Sequence, residues 1–205
     1  MIAVIDYGAG NLFSLLSSLE YLGFEAEVTS SAQTLENADK LILPGVGAFG
    51  DAKDMLGATG LVPVIKRLVS EGKPLLGICL GMQLLFERSY EYGEHEGLGL
   101  IKGEVRPLEP DIKALGLSLK IPQMGWNSLG FVRPENKLLK YIKDGDFVYF
   151  VHSYYAVGCG DGLVADTKYG VSVPAVVAAD NVYGCQFHPE KSGNTGLEIL
   201  RAFCE

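Results

Sequence analysis

Four short apolar runs, each followed by a stretch of helical spacing, constrain the first ninety or so residues more than any other feature. Residues 1–6 are apolar and β-branched, and Leu12, Leu15, Leu16, Leu19 and Leu22 then recur at helical intervals up to Gly23. Residues 24–29 alternate Phe24, Ala26 and Val28 with Glu25 and Glu27, the pattern of a half-buried strand, and residues 31–39 read as a short helix. Residues 40–44 predict a third strand, 61–71 a helix, 74–78 a fourth strand and 80–88 a fourth helix. Strands that alternate with helices must be joined by crossovers, so they form a parallel sheet covered on both faces. The second half predicts strands over 101–105, 131–133, 146–151, 162–168, 175–179 and 182–187, with a closing helix over 193–203. No repeat, low-complexity tract or long linker interrupts the chain. The expectation is one α/β domain over residues 1–205: a mostly parallel central sheet, helices on both faces and additional β elements in the C-terminal half.

Charge and composition exclude several partners. Seventeen Lys and Arg against 25 Asp and Glu leave a net charge of −8, the wrong sign for a nucleic-acid backbone. The longest largely apolar run, residues 75–86, is far shorter than the ~20 residues that span a bilayer. The N-terminus lacks the basic segment and cleavage site of a secretory signal. Cys79, Cys159, Cys185 and Cys204 are few and irregularly spaced, which suggests reduced thiols in a cytoplasm. With neither Cys-x-x-Cys nor His-x-x-x-His spacing, no metal site is expected.

Two motifs carry chemistry. In Gly77-Ile78-Cys79-Leu80-Gly81 the cysteine sits where a strand ends and a helix begins. Glycines two residues to either side permit a sharp turn that lifts the thiol above the sheet, the geometry of a nucleophile elbow. A helix start favours a thiolate, and the Leu80 N–H, unpaired within its helix, can face a developing oxyanion. A buried structural cysteine is the competing reading, and it holds for the other three cysteines. The second motif, His188-Pro189-Glu190, follows the strand expected over 182–187. Pro189 keeps His188 extended, so Glu190 projects to the same side and can bind one ring nitrogen while the other faces a nucleophile. A solvated turn is the alternative. Both motifs lie at C-terminal strand ends, where open α/β sheets bind ligands.

Gly45-Val46-Gly47-Ala48-Phe49-Gly50 matches G-x-G-x-x-G, but no acidic residue follows at the end of the next strand, as a dinucleotide site requires. We read it instead as a loop that brings backbone N–H groups of Val46 or Gly47 near Cys79 as a second oxyanion donor, with a plain tight turn into a helix still open. Gln83, four residues after Cys79 on the expected helix, faces the same pocket, and Glu87 meets solvent or a neighbour.

Taken together, Cys79, His188 and Glu190 give the chain a resemblance to class I glutamine amidotransferases that covers nearly its whole length. Residues 6–12 (Asp-Tyr-Gly-Ala-Gly-Asn-Leu), 44–49, 122–127 (Pro-Gln-Met-Gly-Trp-Asn) and 188–193 are similar to the glutaminase subunits of imidazole glycerol phosphate synthases. That family often has His where this chain has Gln123. The resemblance implies that Cys79 attacks the side-chain carboxamide of L-glutamine and that His188, oriented by Glu190, moves the protons, without a cofactor. It also implies that Gly45, Gln83, Ser153 and Tyr154, with His152 beside them, surround the bound glutamine. Ammonia then passes to a partner, the (β/α)8-barrel cyclase subunit, in a heterodimer of histidine biosynthesis. Asn11, Trp126 and Lys191 are where it places contact with that partner. Asn11 also suits a helix N-cap, Trp126 a core position and His152 a structural role. A glutaminase subunit of another amidotransferase, a non-catalytic activating module and an elbow-cysteine peptidase remain alternatives.

Overall fold

A computed structural model describes all residues, 1–205. In chain order the first half runs β1 (Ile2–Ile5), α1 (Leu12–Tyr21), β2 (Ala26–Thr29), α2 (Ala32–Asn37), β3 (Lys40–Gly45), α3 (Phe49–Ala58), α4 (Val62–Ser70), β4 (Leu75–Cys79) and α5 (Leu80–Leu84). Then come β5 (Arg88–Ser89), β6 (His95–Glu96), β7 (Glu104–Pro107), α6 (Leu108–Ala114), β8 (Gln123–Ser128), β9 (Gly130–Phe131), β10 (Phe147–His152) and β11 (Tyr154–Val157). The chain closes with β12 (Leu163–Tyr169), β13 (Val171–Ala179), β14 (Val182–Cys185) and α7 (Gly193–Cys204).

The main sheet has the order β2-β1-β3-β4-β14-β13-β12-β9. Its first five strands are parallel and the remaining pairings antiparallel. This is the α/β class expected, with a mixed rather than uniform sheet. In β1 every residue is buried because both faces are covered: Ala3 and Ile5 join a core with α2 to α5, whereas Ile2 and Val4 join a core with α1 and α7. Burial of each Ile or Val side chain here stabilises the fold by about 1.5–3 kcal/mol. No helix is long and apolar enough to cross a membrane.

Three departures from the sequence reading have physical causes. The helix expected over 80–88 stops at Leu84, because the amides of residues 97–101 capture the carbonyls of Leu84, Leu85, Phe86 and Glu87. Glu87 is exposed but not idle, since its carboxylate accepts from the Gly103 N–H at 2.9 Å. Helix α3, which the sequence reading did not place over 49–58, has no side-chain cap at Ala48; the Glu91 carboxylate, 42 residues away, accepts the Phe49 N–H at 2.7 Å instead. The β8–β10 ribbon, also not expected at β8, forms a separate two-stranded sheet with His152 opposite Gln123.

Candidate active site

The site begins at the junction of β4 and α5. Cys79 has φ +54° and ψ −111°, a backbone conformation rarely adopted by residues with a side chain, at a cost on the order of 1–3 kcal/mol. The flanking glycines are needed for space, not for torsional freedom. A Cβ on Gly81 would lie 1.8 Å from the Leu43 carbonyl oxygen, and one on Gly77 would lie 2.7 Å from Met82 Cα. Helix α5 therefore packs directly on the backbones of β3 and β4, and the turn at Cys79 follows from that closeness.

The second motif reaches Cys79 through the sheet. Strand β14 lies parallel to β4, with Cys185 paired to Ile78, so the residues after Cys185 arrive level with the thiol. His188 is extended at φ −99° and ψ 99°, and its N–H donates to the Tyr149 carbonyl at 3.0 Å. Its Nδ1 lies 2.9 Å from Glu190 Oε1, with both side chains 3% exposed. Glu190 gets there by a different route from strand alternation, because Pro189–Lys191 forms a one-turn 3-10 helix that folds the carboxylate back. Ser192 fastens this turn by donating to the His188 carbonyl at 2.6 Å and accepting from Tyr149 N–H at 2.9 Å. Burial opposes charge on His188, but the Cys79 thiol and the Glu190 carboxylate, as hydrogen-bond partners and as negative charges, outweigh it and raise the imidazole pKa to about 9.

A cavity of about 260 Å³ opens above the thiol, lined by Val46, Gly47, Cys79, Leu80, Gln83, Glu91, Val151, His152, Ser153, Tyr154 and His188. The sequence-derived set is thus brought together, apart from Gly45, Glu190 and the three residues expected at a partner surface. Gly45 is buried beneath the loop, where a Cβ would meet the Tyr7 hydroxyl and the Gly81 nitrogen. Glu190 stands behind His188. Asn11 occupies the N-cap position of α1 but makes no side-chain cap; its Nδ2 donates to Glu190 Oε1 at 3.3 Å. Trp126 is 53% exposed, which removes the core reading, and Lys191 is exposed. His152 is buried, and its Nδ1 faces the Tyr154 carbonyl at 3.0 Å.

Several participants were not foreseen. Gln186, wholly buried, directs its amide Nε2 at the Cys79 sulfur from 3.9 Å and accepts from Gln83 Nε2 at 3.0 Å; Gln83 Nε2 also donates to the Tyr154 carbonyl at 2.9 Å. The Tyr7 hydroxyl donates to the Pro44 carbonyl at 2.8 Å and pins the strand end that carries the glycine loop. Burial raises the Tyr7 pKa, and the Cys79 charge adds to that. Glu91 supplies a carboxylate to the cavity wall. Burial raises its pKa, opposed by the Phe49 N–H, and nothing near it in sequence announces this role. Burial pushes the Cys159 thiol up to about 11 and the Cys204 thiol up to about 12, and it also raises Cys185, so these three stay protonated. No group of three or more His, Cys, Asp or Glu side chains is placed to hold a metal.

An elbow cysteine beside a buried His–carboxylate pair has relatives that can be named. Residues 3–205 match the family model described as class-I glutamine amidotransferase. The chain belongs to that family. The amidotransferase is 53% identical to the imidazole glycerol phosphate synthase subunit HisH of Caldanaerobacter subterraneus subsp. tengcongensis, over 100% of this chain and 98% of that protein. It is 52% identical to the subunit of the same name from Bacillus subtilis, over 99% and 95%. Among solved structures, that of PurLQS from Thermotoga maritima aligns with a TM-score of 0.74 at 22% identity, covering 98% of this chain and 96% of that one, a likeness of fold.

Proposed function

We propose that this amidotransferase is the glutaminase subunit of an imidazole glycerol phosphate synthase in histidine biosynthesis, with Cys79, His188 and Glu190 as its triad. The observation that carries the reading is the buried His188–Glu190 pair, 2.9 Å apart, sharing one cavity with a thiol held on a strained elbow. Full-length relatives above 50% identity bearing the synthase subunit name support the assignment.

The chemistry follows from the groups. The Cys79 sulfur attacks the carboxamide carbon of glutamine while the imidazolium of His188 stands ready to protonate the leaving nitrogen. The oxyanion lies against the Leu80 N–H and a backbone N–H of the Val46–Gly47 loop. Ammonia departs, and His188, now neutral, takes a proton from water as it attacks the γ-glutamyl thioester, releasing glutamate. Glu190 fixes the ring tautomer and stabilises its charge. Gln83, Ser153 and Tyr154 line the substrate cavity, where the Glu91 carboxylate suits the α-ammonium of glutamine.

The partner is a (β/α)8-barrel cyclase subunit that receives the ammonia. Met124 and Trp126 support this: both are more than half exposed on the outer face of β8, and such an apolar patch suits an interface. Four free thiols fit a reducing cytoplasm. An electrophilic glutamine analogue should label Cys79 alone, as read by peptide mass, and Cys79→Ala should release no glutamate. Label on another cysteine, or turnover in that variant, would overturn the reading.

A further inference from the structure

His152 and Gln123 are directly opposed in the β10–β8 ladder, so their side chains share one face. That face is the inner one: Gln123 is 0% exposed and His152 6%. His152 Nδ1 faces the Tyr154 carbonyl, which can only accept, so the hydrogen is on Nδ1. Burial first, and then the neighbouring His188, hold the His152 pKa down at about 4, so the ring is neutral and Nε2 presents a lone pair. Gln123 Nε2 donates to Asn127 Oδ1 at 3.1 Å, which leaves Oε1 as the free end of the amide. Neither His152 Nε2 nor Gln123 Oε1 has a protein partner, although both atoms are fully buried.

Two opposed buried acceptors without a donor are costly unless a small hydrogen-bond donor serves them. We propose that His152 Nε2 and Gln123 Oε1 together form a binding station for neutral ammonia, behind the wall of the cavity that holds Cys79. The pair calls for a small neutral molecule with two hydrogens to donate. Ammonia meets this and leaves one N–H and one lone pair over, as water leaves two lone pairs, so the place of the pair in the fold, and not the hydrogen-bond count, selects ammonia. Ammonium is disfavoured by the apolar lining, since the Phe150 ring packs against His152 at 5.8 Å and against Phe187 at 5.7 Å. His152 lines the cavity, and the residue after Gln123, Met124, stands on the exposed outer face. The station lies between the place where ammonia would be released and the surface where it would be handed on, and to that extent it rests on the proposed glutaminase reading.

The first test needs no catalysis. The Nε2 resonance of His152 is followed by 15N NMR in the free protein at one fixed pH while ammonium chloride replaces sodium chloride at constant ionic strength, so that His188 keeps its charge state throughout. A shift that tracks free ammonia in the wild type and is lost in Gln123→Met supports the station; no shift in the wild type, the water-only outcome, overturns it. The second test uses the reconstituted complex with the cyclase subunit. Gln123→Met should release glutamate within about twofold of the wild-type rate and use added ammonium salt normally, while cyclase product per glutamate falls at least about twofold. Unchanged coupling overturns the proposal. Should Gln123→Met fail to fold, Gln123→Leu replaces it, and the wild-type titration stands by itself. A wild type that releases no glutamate but still shows the ammonia-dependent shift would refute the glutaminase reading and leave the station standing.

Discussion

Replacing Glu190 by Gln probes the tautomer of His188, and the structure says which way the new amide will turn. Glu190 Oε1 accepts from both His188 Nδ1 at 2.9 Å and Asn11 Nδ2 at 3.3 Å, whereas Oε2 is buried without a partner. In Glu190→Gln, an amide oxygen in the Oε1 place keeps both donors and preserves the productive tautomer. The flipped amide would point N–H at two donors and force the imidazole hydrogen onto Nε2, where the ring could no longer take a proton from the thiol or from water. Asn11 therefore biases the variant towards the working orientation, and only the negative charge is lost. Cys79 and Glu190 together lift His188 from 6.5 to about 9 against burial, worth about 3 kcal/mol at 1.36 kcal/mol per pKa unit. Loss of roughly half of that gives a ten- to hundredfold fall in kcat/KM for glutamate release in Glu190→Gln. Adding Asn11→Ala frees the amide to flip, and the fall should deepen to about 10³–10⁴-fold, the scale of a wrong-tautomer triad. Asn11→Ala alone should cost less than about threefold. The assay is steady-state glutamate release for the four proteins. If the double variant is no worse than Glu190→Gln, the orientation argument is wrong; if Glu190→Gln matches the wild type, the carboxylate has no part in the chemistry.

Three other outcomes follow from the same geometry. Cys79→Gly should unfold at higher temperature than Cys79→Ala, by about 1 kcal/mol, because glycine relieves the positive φ; equal stabilities would show that the elbow is unstrained. His152 binds a proton at about 4 when folded and near 6.5 when unfolded, so the unfolded chain holds the extra proton between those values and stability rises with pH across that window by about 3 kcal/mol; urea titrations should show this rise diminished in His152→Asn. His188, with its pKa raised, has the opposite sign, and its contribution is lost as pH climbs from 6.5 through about 9. Trp126→Ala should leave the stability of the free chain within about 0.5 kcal/mol, since the side chain is half exposed, yet weaken cyclase binding at least about tenfold by calorimetry; a large loss of Tm or unaltered binding would contradict the surface assignment.

Much of this protein was legible in one dimension because its signals are local. The alternation of apolar runs with helical spacing requires a parallel sheet, since a strand followed by a helix must return in the same direction. The glycines around Cys79 mark the elbow whichever reason is given for them, and His188-Pro189-Glu190 encloses its own hydrogen bond. What sequence spacing did not contain was adjacency across distance. Register between β4 and β14 set Gln186 beneath the sulfur and His188 beside it, more than a hundred residues from Cys79. The same holds for Glu91, whose carboxylate caps α3 and walls the cavity, and for Asn11, drawn from its helix start to Glu190. Local propensity measures what a residue can do for its own turn of chain. A buried polar atom, by contrast, takes whichever partner the packed core delivers, and only the three-dimensional structure decides which one that is.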